Sequence, residues 1–404
     1  MHDWRRNQVA VTAAAFVGFT GFTLVMPFLP LYIRELGVTD VGDIALWTGL
    51  TLGASPAIAA LVGPLWGRVG DRFGNKLLVQ RSLVSFVIIM SAMAYVTEAW
   101  HLFALRALQG FFAGYGALTL SMAALSAPPE KTAFAVGTVQ TAHRLGPAIG
   151  PVLGGMLAPL VGLRNAFLVS AGFYAAALVL VTVFYREPPR APKLPRGDRR
   201  ASFGTILTFE NFLLLMLVIF GLQMVDRSFG PVLALYLGQI GYPEADVALL
   251  VGMLFSVTAL SAAAGNQLAA PLVSRASPRS VIATAALVAA GALALVVVSS
   301  SVWLLGIWLA VFGVCIGTSM TTAYTAANAV IPREVHSTAF GFLTSAQLIG
   351  VAASPVLSGL VGARSIRVVF IAGVVTLVAL AVVVRRVMVE RAPRVEPEPA
   401  VDEG

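Results

Sequence analysis

Apolar runs of bilayer length recur along the whole chain, and nothing else in the sequence restricts its fold so sharply. A helix needs about 20 apolar residues to cross the hydrocarbon core. Lipid offers a backbone no hydrogen bonds, so a spanning chain must close its own bonds as helices or as a complete barrel. The runs are continuous rather than alternating, which selects helices. An all-α membrane protein follows, with twelve spans expected at 9–33, 45–66, 77–97, 100–122, 133–159, 163–184, 209–239, 246–273, 280–300, 302–327, 337–361 and 365–387. The 404 residues are 58% hydrophobic and 11% charged, against roughly 25% charged in soluble domains. A net charge of +8 in so apolar a chain points to basic loops on anionic headgroups, not to nucleic acid. Cys315 stands alone and can form no intrachain disulfide. Nothing suggests a metal or a cofactor. The apolar stretch after Arg5 and Arg6 exceeds a signal-peptide core and reads as a retained first span.

Basic residues set the expected orientation. Arg5, Arg6, Arg68, Arg72, Arg275, Arg279, Arg385 and Arg386 fall on the side of the termini, whereas Arg34, Arg164, Arg364 and Arg367 fall opposite. Positive charge marks the cytoplasm, so both termini are expected there, in a multi-pass protein of the cytoplasmic membrane. Trp47, Trp66, Trp100 and Trp303 fall at or near span ends, where indoles favour the interface. The chain divides into an N-terminal six-helix bundle (1–185), a proline-rich basic linker (186–208), a C-terminal six-helix bundle (209–387) and a Pro- and acid-rich tail (388–404) expected to be disordered.

The two halves repeat. Pro27, Tyr32 and Gly37 correspond to Pro231, Tyr236 and Gly241 at a shift of 204 positions, as do Gly146, Pro151 and Gly155 to Gly350, Pro355 and Gly359. Arg72 with Arg275 and Gly110 with Gly313 are shifted by 203. Chance matches would not keep a near-constant offset. Six spans repeated in one orientation is a parallel-repeat transporter plan, in which two pseudo-symmetric halves rock about a site near the midplane.

Several motifs carry a family resemblance. Gly67 to Lys76, GRVGDRFGNK, joins the second and third spans. It resembles the cytoplasmic loop of the major facilitator superfamily at Gly67, Asp71, Arg72, Gly74 and Lys76, with Asn75 where a basic residue is usual. The alternative is a basic turn anchored to lipid. In the fifth span Gly137, Gly146, Gly150, Pro151, Gly154 and Gly155 match the spacing of the drug–proton antiporter branch. Physically, Gly146, Gly150 and Gly154 share a face that admits a close neighbour, and a plain packing seam is the competing reading. Pro27, Pro30, Arg106, Gln109 and Gly110 resemble further motifs of that branch. The resemblance covers 9–387 and implies a monomeric twelve-span multidrug efflux transporter that exchanges protons for small molecules. It also implies that the cytoplasmic loop latches the halves.

Charge within the spans is sparse. Asp226 is the one acid well inside a span, where a carboxylate is costly and functional by default. Its alternative is a structural ion pair with Arg227, Arg144 or Arg106. His143 titrates near neutrality and is a second proton-carrier candidate, or else a hydrogen-bonded packing residue. Arg106 resembles an arginine that the family associates with proton transfer, although its nearness to the outer end also allows snorkelling. Arg144, Arg227, Gln223, Phe22, Pro27 and Gln140 are candidates for a substrate cavity. The first span lacks the acid that many cation exporters carry, so a neutral, zwitterionic or anionic amphipath is expected. Two alternatives stay open: a carrier of one defined metabolite or organic anion, and a non-transporting sensor or scaffold. The loops offer no catalytic constellation, so an enzyme is not expected.

Overall fold

The computed structural model describes residues 4–128, 131–188, 209–331 and 336–389, and within them the side chains of 63–65, 67–73, 133, 336–338 and 340 lie outside the description. Every regular element among the described residues is helical. In the first half these are α1 (Trp4–Leu24), α2 (Leu29–Glu35), α3 (Val41–Phe73), α4 (Asn75–Met93), α5 (Ala99–Phe111), α6 (Tyr115–Ser126), α7 (Thr132–Val161) and α8 (Leu163–Val179), the last extended by a π-helical turn, Leu180–Phe184. The second half holds α9 (Phe212–Asp226), α10 (Leu233–Gln239), α11 (Glu244–Val273), α12 (Pro278–Val298), α13 (Val302–Val330), α14 (His336–Gly362) and α15 (Ile366–Val387). Eleven described segments are long and apolar enough to cross a membrane unaided. The expected seventh span is a shorter apolar helix, α9, followed by α10 after an interruption at 227–232. Most of the expected linker and tail, 189–208 and 390–404, lies outside the described residues.

The first and seventh expected spans are each broken, and both breaks follow from proline. Pro27 sits in the turn before α2, and Pro30 occupies its first turn, where a missing N–H costs little. Pro231 sits in the matching interruption before α10. The short helices that follow, 29–35 and 233–239, occupy equivalent positions. Gly37 and Gly241 close them, both at φ +95°, a conformation that glycine adopts without strain. The Tyr32 hydroxyl donates to the Met93 carbonyl at 2.7 Å, and the Tyr236 hydroxyl to that of Val296 at 3.0 Å. Each short helix is thereby strutted to the end of a neighbouring span. The internal repeat extends down to single hydrogen bonds.

Two expectations need correction. The fourth span is not continuous: it breaks at 112–114, with Gly114 at φ +122°, whereas α13 runs unbroken through the matching stretch. Residues 67–73 are also not a loop. They continue α3, and the connection to α4 is Gly74 alone, at φ +99°.

Two cores form, one in each half. Val11, Leu24, Phe28, Tyr32, Phe167 and Tyr174 belong to the first; Phe229, Phe312, Phe370 and Leu377 belong to the second. Each takes one residue from the opposite half, Ala248 into the first and Ala45 into the second. These are repeat equivalents, and they mark where α11 packs on α7 and α3 on α14.

The glycine face of α7 lies along α1. Cβ atoms at Gly146, Gly150 and Gly154 would run into the carbonyls of Phe16, Thr20 and Leu24, respectively. Four-residue steps on one helix thus match four-residue steps on the other, the close approach that small residues permit. In the second half Gly350 meets the Phe220 carbonyl, but Ser354 and Ser358 replace the next two glycines. The Ser354 hydroxyl donates to the carbonyl of Met224, the equivalent of Thr20. A cavity of about 90 Å³ lies beside this bond, between α9, α14 and α15.

Candidate functional site

Arg106 and Gln109 share one face of α5, a turn apart. Arg106 is 1% exposed, so it does not snorkel. Its Nη1 donates to Gln109 Oε1 at 3.1 Å, and its guanidinium lies 5.8 Å from the Phe22 ring of α1. Gly110, next on this helix, rests against the Ser55 carbonyl of α3, so the buried face is pressed between neighbours.

The break after α5 frees carbonyls that side chains from other spans take up. Trp66 Nε1 donates to Phe111 O at 2.6 Å. Ser82 Oγ donates to Phe112 O at 2.8 Å, and Arg81 Nη2 to Phe112 O at 3.0 Å and to Ala113 O at 3.3 Å. Arg81 also stacks 3.5 Å above the Trp66 ring. Trp66 is therefore part of a cap on this break. Below the break, Thr119 on α6 hydrogen-bonds His143 Nε2 at 3.0 Å, and the imidazole packs 4.4 Å from the Phe19 ring. His143 is thus both hydrogen-bonded and packed against an aromatic ring.

Asp226 ends α9, at the break rather than within a continuous helix. Its Oδ2 accepts from Arg227 Nε at 3.2 Å, with the carboxylate side chain 20% exposed and the guanidinium 49%. Gln223, one turn earlier, is buried, and its carbonyl accepts the Arg227 N–H at 3.1 Å. Pro27 and Phe22 stand at the corresponding break of the first half, so these candidates fall into two repeat-related groups instead of one cluster.

Between the halves, glycines again allow contact. Gly155 meets the Ala248 carbonyl and Gly252 that of Pro151; Gly49 meets Pro355 and Gly359, and Gly53 meets Ala352 and Val356. All belong to the half of the molecule remote from the termini, where Arg34 also bonds Glu244 across the boundary at 2.8 Å. Nearer the termini, Arg144 on α7 reaches α11. With the Asn266 amide oriented to satisfy both sides, its oxygen accepts from Arg144 Nη1 at 2.6 Å while its nitrogen donates to Gly317 O and Thr321 Oγ1, each at 2.9 Å. Gln140 is exposed one turn further along α7, and a Cβ at Gly137 would meet nothing within 4 Å. Gly137 therefore stands outside the glycine seam.

Of the loop motif, the side chains of Asp71 and Arg72 and the surroundings of Gly67 lie outside the description. Lys76 Nζ donates to Thr182 O at 3.1 Å and Tyr185 O at 2.7 Å, favourable for a cation at a helix C-terminus. That tie lies within the first half. Asn266, Arg81 and the pairing of Arg34 with Glu244 were not expected from sequence, and Trp66 was read there only as a span-end indole. A polar Asn inside the eighth span was the available signal for the first. No metal cluster of three or more His, Cys, Asp or Glu occurs among the described residues.

Comparison with known proteins agrees with this architecture. The Major Facilitator Superfamily model matches residues 11–255 and 215–403. A multi-drug resistance efflux pump PmrA homolog of Lactococcus lactis subsp. lactis is 34% identical over 263 residues, 64% of each chain, so the match spans a little under two thirds of that relative. The multidrug resistance protein MdtG of Citrobacter koseri is 28% identical over 364 residues, 89% of each chain. Among solved structures, a bacterial homolog to the human lysosomal transporter Spinster, inward-facing and occupied, superposes with a TM-score of 0.78 at 17% identity, covering 93% of this chain and 95% of that one.

Proposed function

Because the chain belongs to the Major Facilitator Superfamily, we propose that this multi-pass membrane transporter exports small amphipathic, drug-like molecules in exchange for protons. It works as a monomer in the cytoplasmic membrane, with both termini in the cytoplasm. The observation that carries this reading is the pair of repeat-related contacts, α3 with α14 and α7 with α11, gathered at one end of the molecule. They form a fulcrum on which the two halves rock. The efflux named for the relatives supports the direction.

Substrate enters between the halves from the side of the termini and meets Gln140, Arg144, Gln223, Arg227 and Phe22. Asp226 carries the proton. Its protonation removes the counter-charge from Arg227 and changes what that guanidinium can bind. Proton and substrate then alter each other's affinity by the same factor. His143 and Arg106 complete the coupling in the first half, His143 as a second carrier and Arg106 through its fixed charge. The Gly67–Lys76 segment acts as the latch on the cytoplasmic side.

The test is efflux of a mixed substrate panel from inverted vesicles, with and without a proton gradient, for wild type and Asp226→Asn. Gradient-driven export is expected to disappear in the variant while downhill exchange continues. Uphill export that survives would remove Asp226 from the mechanism. One observation favours a second reading, a carrier of organic anions: Asp226 is bonded to Arg227, so no described carboxylate pairs with Arg106 or Arg144. Strong pH-dependent export of quaternary ammonium dyes would sink the anion reading.

A further inference from the structure

We infer that Arg106, Gln109 and Tyr174 form a binding site for a small monovalent anion, either a halide or the carboxylate of an acidic amphipath. Four fully buried polar atoms here have no partner: Arg106 Nε, Arg106 Nη2, Gln109 Nε2 and the Tyr174 hydroxyl oxygen. Such atoms are uncommon in folded proteins, and each asks for an explanation. Tyr174 comes from α8, fully buried beside Phe86; its hydroxyl lies beside the Arg106 guanidinium and is reached by the Gln109 amide only through a long hydrogen bond that falls outside ordinary geometry and leaves both groups with protons to donate.

The chemistry of the set points one way. The bond from Arg106 Nη1 to Gln109 Oε1 takes up the amide oxygen and leaves the amide NH₂ free to donate. All four orphan atoms can therefore donate, and together they carry one positive charge. A water accepts about two such bonds and cancels no charge. An anion accepts from all of them and neutralises the guanidinium, the stronger charge-assisted case. A buried charge without a counter-ion is heavily penalised. Among the described residues no carboxylate forms an ion pair with Arg106.

Arg81 shows the contrast. It too has unpartnered nitrogens, but it spends Nη2 on two carbonyls and covers an indole ring at 3.5 Å. Arg106 has one amide oxygen and a phenyl ring at 5.8 Å. At 1% exposure Arg106 is closed off from solvent, so an anion reaches these donors when the first half loosens. The proposal depends on the transport reading only for how the anion arrives.

The experiment is thermal unfolding of the purified full chain in discs of uncharged lipid. Sodium chloride or sodium acetate replaces sodium gluconate at constant ionic strength. Wild type should show a saturable rise in midpoint. The apparent affinity should fall about tenfold in Tyr174→Phe, the loss of one good hydrogen bond, and the rise should vanish in Arg106→Met. Saturation by chloride assigns a halide site; saturation by acetate alone assigns the carboxylate of a substrate. If Arg106→Met does not fold, Tyr174→Phe still decides. A midpoint that responds to neither anion, or equally in wild type and Tyr174→Phe, overturns the site and leaves water on the orphan donors. Failure of gradient-driven efflux would leave this titration unchanged, so the two ideas fall separately.

Discussion

Tyr32 and Tyr236 do the same work at equivalent places, yet their bonds differ. Tyr32 gives its hydroxyl to one buried carbonyl at 2.7 Å. Tyr236 lies near three carbonyls, those of Val296, Val297 and Ser299, at 3.0, 3.1 and 3.3 Å. Removing the first hydroxyl strands a single acceptor, at a cost of about 1–3 kcal/mol; removing the second loses a shared bond of about 1 kcal/mol. Tyr32→Phe is therefore expected to lower the unfolding midpoint more than Tyr236→Phe, measured by tryptophan fluorescence on heating in detergent. Both tyrosines were legible as a repeat pair, because identity and offset survive in sequence. Their bonding was not, since a hydroxyl's partner depends on a span about 60 residues away. The snorkelling alternative for Arg106 fails for a related reason: counting residues from a span end assumes a side chain free to reach water, whereas neighbouring helices seal this one in.

At the scale of elements, the spacing Gly146, Gly150, Gly154 predicted a close helix contact, and α1 supplies it. Gly137 belongs to the same sequence pattern, yet a Cβ there would meet nothing. The two make a direct comparison. Gly154→Ala should reduce the folded monomer recovered on size exclusion, because its Cβ meets the Leu24 carbonyl. Gly137→Ala should keep or raise it, by up to about 1 kcal/mol of helix propensity. Breaks were harder to read than seams. Proline announced those before α2 and α10, but the fourth span has none near 112–114, and an apolar average runs smoothly across Gly114. The cap that makes this break tolerable comes from Trp66, Arg81 and Ser82 on other spans, information that no local window contains. The continuation of α3 to Phe73 was missed because glycine and charge suggested a loop where one residue, Gly74, suffices.

At the scale of the molecule, the repeat fixes two halves, and the glycines where they meet decide how closely they approach. Gly49 and Gly252 are repeat-related and each faces an opposing carbonyl, of Pro355 and Pro151. A leucine at Gly49 is expected to wedge the remote end open. Maleimide labelling of Val356→Cys in a Cys315→Ser background should then rise several-fold relative to the same reporter with Gly49 intact; unchanged labelling would remove this contact from the closing motion. The helical class was readable because lipid allows so few solutions. The crossing points were not, since they depend on pairs such as Ala45 and Ala248 that carry no special chemistry.

The Arg34–Glu244 pair has one more consequence. Its side chains are 47% and 65% exposed, so dissolved ions reach it freely. Screening acts over about 8 Å at physiological salt and about 3 Å at 1 M. A bond that helps hold one end shut is thus tuned by the salinity of the medium bathing that end. Brine should shift the protein toward the open arrangement and fresh water toward the closed one, and Arg34→Gln should blunt that response in spin-label distance measurements across the boundary. Through this exposed pair, the ionic strength of the surroundings is expected to act on the resting state, whereas an uncharged osmolyte should leave it unchanged.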